Sequence, residues 1–212
     1  MKKKIEIESF LQFQFVSSPA ISRDGKYVAF QVARADRADN NYKTDLWCYN
    51  TQTQALETVV DSGKVRSFTW LSNGHILFQA ACGDSDTHYF EVDPAEKNPK
   101  EVFSLPMEVW SVTELENGKL LIQGVNDNMN LNAGPRAYEV IEETPFWFNG
   151  YGFIQGKRKG LYLYDRADGS CTLVTDPWSD VAYFSVRGNR VVYQVYPWKN
   201  AMVDPFRPAL CL

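Results

Sequence analysis

Four times this chain writes the same short phrase, and that repetition limits the folds open to it more than any other feature. RDGKYVAFQ runs from Arg23 to Gln31, SNGHILFQ from Ser72 to Gln79, ENGKLLIQ from Glu116 to Gln123, and RGNRVVYQ from Arg187 to Gln194. Each copy is a glycine turn, a polar residue and an apolar run that ends on glutamine. Asp24-Gly25, Asn73-Gly74 and Asn117-Gly118 are hairpin signals, because a tight turn needs positive φ and these residues adopt it at little cost. The fourth copy inverts the order as Gly188-Asn189. An apolar run of this length after a turn predicts a strand buried on both faces.

Short apolar groups lead into each turn: Ala20-Ile21-Ser22, Phe68-Thr69-Trp70, Val109-Trp110-Ser111 and Tyr183-Phe184-Ser185. A third strand is predicted at Asp45–Asn50, His88–Asp93 and Leu161–Asp165, and a fourth at Leu56–Val60, Glu101–Phe103 and Cys171–Val174. The unit is therefore four antiparallel strands joined by hairpins. Successive turn glycines are 49, 44 and 70 residues apart, and the first two spacings match one blade of a β-propeller. The longer third interval holds an Asn-rich insertion, Val125 to Pro145, and the basic triplet Lys157-Arg158-Lys159 between Gly156 and Gly160 reads as a hairpin tip. The expected fold is all-β: a partial β-propeller of about three and a half four-stranded antiparallel blades. An N-terminal segment at 1–16 precedes blades at about 17–63, 64–106 and 107–177 and the start of a fourth at 178–200. Met202 to Leu212 does not read as a continuing blade, since Pro205 and Pro208 oppose a central strand.

An open arc of blades exposes a face at each end. If each face shows ~400 Å² of apolar surface, at ~25 cal/mol/Å² the forgone burial is on the order of 10 kcal/mol per end. That is comparable to the whole stability of a domain. The expectation is either a truncated piece of a longer protein or a ring completed by a second chain at the open blade edges, a homodimer of two half-rings being the simplest version.

Composition narrows the function classes. A net charge of -4, with basic residues clustered only at Lys2-Lys3-Lys4 and Lys157-Arg158-Lys159, excludes a general nucleic-acid binder. No run approaches the ~18 apolar residues of a membrane span. Ile5-Glu-Ile-Glu8 interrupts any secretory leader. Cys48, Cys82, Cys171 and Cys211 form no C-x-x-C pair and read as reduced, mostly buried thiols, so a cytoplasmic location is expected.

The opening Ile5-Glu-Ile-Glu-Ser-Phe-Leu-Gln-Phe-Gln-Phe-Val-Ser-Ser-Pro-Ala-Ile-Ser-Arg-Asp-Gly25 resembles the N-terminus of bacterial acylaminoacyl-peptidase-like and dipeptidyl-peptidase-like serine peptidases of the prolyl oligopeptidase family. Such proteins write the turn as Ser-Pro-Asp-Gly, and Arg23 here replaces the proline. Glu143-Thr-Pro-Phe-Trp-Phe-Asn-Gly-Tyr-Gly-Phe-Ile154, followed by Gly160-Leu-Tyr-Leu-Tyr-Asp165, resembles the same family's third blade. The resemblance spans about residues 5 to 198. It implies an N-terminal propeller that caps a C-terminal α/β-hydrolase domain with a Ser-Asp-His triad and restricts entry to short peptides. That hydrolase domain is expected to be missing here, so the chain by itself is expected to be inactive, with a peptide substrate only in the full-length context.

Catalytic candidates within the chain are few. A nucleophile elbow needs G-x-S-x-G, and the nearest approach is Gly83-Asp84-Ser85-Asp86-Thr87, whose fifth position is threonine. Asp84, Asp86 and His88 alternate as a metal site would, but three ligands without a fourth read better as a polar loop. No cofactor motif is present. Glu142 and Glu143 are the substrate-binding candidates: the resemblance implies that propeller glutamates can hold a free amine, and a carboxylate pair suits an ammonium group. A solvated loop is the other reading of that pair. Trp47, Trp70 and Trp110 occupy repeated strand positions and are expected in the core, while Trp178 and Trp198 lie beside prolines. Gln31, Gln79, Gln123 and Gln194 are expected to satisfy backbone groups at a sheet end. The alternative to a peptidase propeller is an interaction module, TolB-like or WD-repeat-like, that completes its ring with a partner.

Overall fold

The computed structural model of the chain describes residues 6–83, 85–129, 138, 140–144, 146–197 and 209–211. The chain divides into two compact units, Met1–Pro106 and Met107–Leu212. The first opens with a single 3-10 segment, Ile7–Gln12. Its strands are β1 (Gln14–Ile21), β2 (Tyr27–Asp36), β3 (Asn41–Asn50), β4 (Leu56–Val60), β5 (Val65–Trp70), β6 (Ile76–Ala80), β7 (Thr87–Val92) and β8 (Lys100–Leu105). They form two antiparallel sheets in the orders β1-β2-β3-β4 and β5-β6-β7-β8.

The repeated phrase builds the same turn in each of its first three copies. Asp24, Asn73 and Asn117 each accept, through side-chain Oδ1, the N–H of the residue two positions on: Lys26 at 3.1 Å, His75 at 3.0 Å and Lys119 at 3.1 Å. The glycine between adopts φ of +73°, +84° and +78° in turn. That conformation disfavours a β-carbon, so Gly recurs where the chain must reverse. At Asp24 the Lys26 N–H, and after it the Ser22 hydroxyl, hold the carboxyl below its ordinary range.

In the first unit the core joins both sheets. Ala29, Leu46 and Cys48 meet Val65, Ile76 and Phe78, with Tyr27, Trp70 and Phe90 packed around them. Every residue of β6 is buried, as expected of a two-faced apolar strand. A side-chain bond crosses between the sheets: Trp70 Nε1–H donates to the Ala20 carbonyl at 3.0 Å. Asp45, which no sequence pattern singles out, is a buried carboxylate on β3. It is compensated by the Arg34 guanidinium and by the Gly63 N–H at 2.8 Å.

The second unit holds β9 (Val109–Glu114), β10 (Leu120–Asp127), β11 (Trp147–Phe148), β12 (Gly152–Phe153), β13 (Lys157–Tyr164), β14 (Cys171–Leu173), β15 (Ser179–Arg187), β16 (Arg190–Pro197) and β17 (Ala209–Cys211). One sheet runs β14-β13-β10-β9, another β15-β16-β17, and β11-β12 is a separate hairpin inserted between β10 and β13. Leu115, Leu121, Leu161, Val181 and Val195 form the core shared by the two sheets. Gln123, buried on β10, accepts from the Ser111 hydroxyl at 3.4 Å and donates Nε2–H to the Val181 carbonyl on β15 at 2.8 Å. Gln123 thus satisfies a backbone group, but not at a sheet end: it is the fourth residue of β10, the strand runs on to Asp127, and the group belongs to the next sheet. Gln31 and Gln194 likewise lie inside β2 and β16.

Four expectations need correction. Lys157-Arg158-Lys159 is not a hairpin tip: it is the start of β13, paired residue for residue with Val125–Asp127 of β10. Ala209–Cys211 continues the last sheet by pairing with β16, although Met202 to Pro208 lies outside the described residues. Trp110 is half-exposed, unlike Trp47 and Trp70. Of the cysteines only Cys48 is buried, and desolvation raises its thiol to about 12. Among the described residues no helix is long and apolar enough to cross a membrane.

Replacing Gln123 by leucine keeps the volume but orphans the buried Val181 carbonyl. Gln123→Leu should lower unfolding stability by roughly 1–3 kcal/mol, seen as a reduced urea midpoint at unchanged m-value.

Candidate functional site

The two glutamates singled out in the sequence sit at the root of the insertion, in different environments. Glu142 is exposed, and its backbone N–H donates to Gln155 Oε1 at 2.8 Å. Glu143 is turned inward. Its Oε1 accepts from Arg158 Nη2 at 2.7 Å and its Oε2 from the Gly156 N–H at 3.3 Å. The Arg158 side chain is 2% exposed and that of Glu143 11%, so this is a buried ion pair.

Its neighbours complete a clamp. Gln155, itself buried, donates Nε2–H to the Val140 carbonyl at 2.6 Å. Asn128 Nδ2 donates to the Gly156 and Pro177 carbonyls at 3.1 and 2.6 Å. Gly156 has φ +69°, and a β-carbon there would lie 2.4 Å from Met129 Cγ. Glycine is required at that point on both counts.

On this clamp stands the β11-β12 hairpin, where Trp147 faces Phe153 and Phe148 faces Gly152. Asn149-Gly150 reverses the chain, with Gly150 at φ +83°. The hairpin leaves Trp147, Phe148, Tyr151 and Phe153 exposed. Tyr151 stacks on Trp110 of β9 at 5.7 Å between centroids and 18° between planes. Lys159 Nζ lies 4.9 Å from the Trp110 ring centroid and 3.8 Å from Asp180 Oδ2. Aromatic pairs of this kind contribute about 0.5–1.5 kcal/mol beyond area burial, and a cation over indole adds to it. Between hairpin and sheet is an open pocket of about 340 Å³. The volume and the aromatic lining are those of a small-ligand site. Sequence reasoning reached the aromatic-rich stretch and the glutamates but not the pocket, which exists only because β13 pairs with β10 and brings Lys157 to Lys159 beneath the hairpin.

The other candidates do not assemble into chemistry. His88 Nδ1 lies 2.7 Å from Glu101 Oε1, and His75 Nδ1 lies 2.8 Å from Glu91 Oε1. Asp84, the residue before Ser85 in the Gly83–Thr87 loop and one of the three metal candidates, lies outside the described residues, as do Pro145 and Trp198. Among the described residues no group of three or more His, Cys, Asp or Glu side chains is arranged to hold a metal ion.

Removing one partner of the buried pair strands the other charge, which costs about 3–5 kcal/mol. Arg158→Met and Glu143→Gln should each destabilise the second unit to that order in chemical denaturation. The double variant Arg158→Met/Glu143→Leu should recover a large part of the loss.

No family model matches the sequence, and no curated protein matches it either. Solved structures do. The acylaminoacyl peptidase of Pyrococcus horikoshii matches with a TM-score of 0.70 at 15% identity, over 97% of this chain and 33% of that one. A puromycin hydrolase matches with a TM-score of 0.57 at 15% identity, over 86% of this chain and 25% of that one. The β-propeller domain of the Trilobed protease from Pyrococcus furiosus matches with a TM-score of 0.52 at 14% identity, over 96% of this chain and 58% of that one. This chain thus spans about a third of the acylaminoacyl peptidase length. Its fold is a partial β-propeller, and the resemblance carried by the opening stretch and the Glu143–Ile154 stretch is met by that likeness.

Proposed function

We propose that this chain is the non-catalytic, substrate-gating propeller portion of a serine peptidase that acts on short peptides. One observation carries the reading: nearly the whole chain superposes on one third of an acylaminoacyl peptidase. The sequence supports it from the other side, since no G-x-S-x-G occurs in the 212 residues and the one serine loop that approaches it lacks the last glycine. In this reading the partner is an α/β-hydrolase domain, and short peptides are met only in its company. Gating is steric: a stack of sheets admits small chains and turns away folded ones. None of the four cysteines is disulfide-bonded, which fits a reducing compartment such as the cytoplasm.

A fluorophosphonate probe should leave the purified chain unlabelled, and a stoichiometric serine adduct would overturn the non-catalytic assignment. Supplied to a hydrolase domain of acylaminoacyl-peptidase type stripped of its own propeller, the chain should depress cleavage of long polypeptides and spare that of short peptides. Equal effects on both would end the gating reading.

A second reading, an interaction module that completes its ring with a partner chain, is favoured by one feature of the first unit. β1 is an edge strand, and Phe15, Val16 and Ile21 on it are exposed, with Phe13 just before them. An apolar edge of this kind is a template for pairing. Light scattering on the purified chain separates the two: a discrete dimer supports ring completion, and a monomer supports the peptidase-propeller reading.

A further inference from the structure

The pocket beneath the β11-β12 hairpin has walls and charges that specify a ligand. Its apolar side comes from Trp110, Tyr151, Phe148 and Phe153. Trp110 is 41% exposed and Tyr151 59%, so the stacked pair keeps ring surface on the open pocket although Lys159 lies over the indole. Five charged residues beside them, together with Glu143 beneath, divide into two kinds. Arg158 is taken by Glu143, and Lys159 by Asp180 and the Trp110 face. Lys157 and Glu108, one cation and one anion on the lining, make no ion pair with each other or with any other described residue. Asp127, directly across the ladder from Lys157, is engaged through Oδ1 with the Met129 N–H at 3.2 Å.

We propose that this pocket binds a small zwitterion with an aryl side chain, of the kind presented by a free aromatic α-amino acid. An aryl carboxylate alone would meet Lys157 but leave Glu108 facing an anion. An aryl amine alone would meet Glu108 and oppose Lys157. A ligand carrying both signs satisfies both groups, and its ring buries apolar area against the Trp110–Tyr151 stack. A charge-assisted contact at a partly solvated site changes affinity by roughly threefold to tenfold. The site does not rest on the peptidase reading: the pocket belongs to one unit of the chain, and the fluorophosphonate result leaves it untouched.

Calorimetric titration of the full chain tests it with four ligands: L-phenylalanine, N-acetyl-L-phenylalanine, L-phenylalaninamide and methyl α-glucoside. L-phenylalanine should bind saturably at one site, and blocking either charge should weaken binding by roughly threefold to tenfold. Lys157→Met should remove the advantage conferred by the carboxylate, and Glu108→Gln that conferred by the ammonium group. Tyr151→Ala, which removes the ring stacked on Trp110, should lower the affinity for every aryl ligand. A titration with glycyl-L-phenylalanine tells a free amino acid from a peptide end: tighter binding of the dipeptide supports the zwitterion and assigns it to a peptide. Absence of saturable L-phenylalanine binding, equal affinities for the three phenylalanine forms, or preferential binding of the glucoside would each overturn the proposal.

Discussion

Everything in this chain follows from sheets whose central strands are apolar on both faces. β6 is buried at every position, and β10 from Leu120 to Gly124. A strand of that kind has no solvent side, so each sheet needs another layer on either face. Apolar packing alone would leave the layers free to slide, because it is not directional. Directional bonds supply the register: the Trp70 indole reaches the Ala20 carbonyl in one unit, and the Gln123 carboxamide reaches the Val181 carbonyl in the other. Each anchor is polar and satisfied, the carboxamide one buried and the indole one partly so, and each costs free energy only if the layers shift.

The strands and their order were legible because local chemistry and long-range burial agree on them. Asx residues before glycine mark reversals, apolar runs mark strands, and both recur at one period. What was not legible depends on register. Gly156 and Gly160 look alike in sequence, yet they serve different needs. Gly156 takes positive φ at a real turn, whereas Gly160 lies within β13, where a β-carbon would come 2.5 Å from Leu173 Cδ1. Treating both as turn formers puts the basic triplet at a hairpin tip. The Arg158–Glu143 pair is invisible for the same reason: the two residues are 15 apart and meet only once the insertion folds back. Trp110 does not hold Trp70's place in the repeat: Trp70 pairs with Ile76 at the turn end of β5, whereas Trp110 is the bulged residue at the start of β9, where β5 has Arg66, and the inserted hairpin gives its indole a neighbour.

The insertion shows how a repeat fold acquires an individual feature. A regular sheet offers ladders and little concavity. Here β10 and β13 extend past their partners, as far as Asp127 and back from Lys157, and the chain between them returns as a two-stranded flap. The clamp of Gln155, Gly156 and Arg158 fixes where that flap emerges, so the aromatic rings are held by a rigid root although they face solvent.

The turns carry a chemical liability of their own. In an Asn-Gly dipeptide the backbone nitrogen after asparagine is unusually free to attack the side-chain carbonyl, and the cyclic imide then opens to an acid. At Asn73 this would turn a donor into an anion, and its Nδ2 now donates to Glu91 Oε1 at 3.0 Å. Ageing there would set two carboxylates against each other beside His75, which already holds the same Glu91 oxygen at 2.8 Å. The first copy writes Asp24 at the corresponding place, which has no amide to lose and can only isomerise through the same imide without gaining a charge, so the blades of one protein would grow old in different ways.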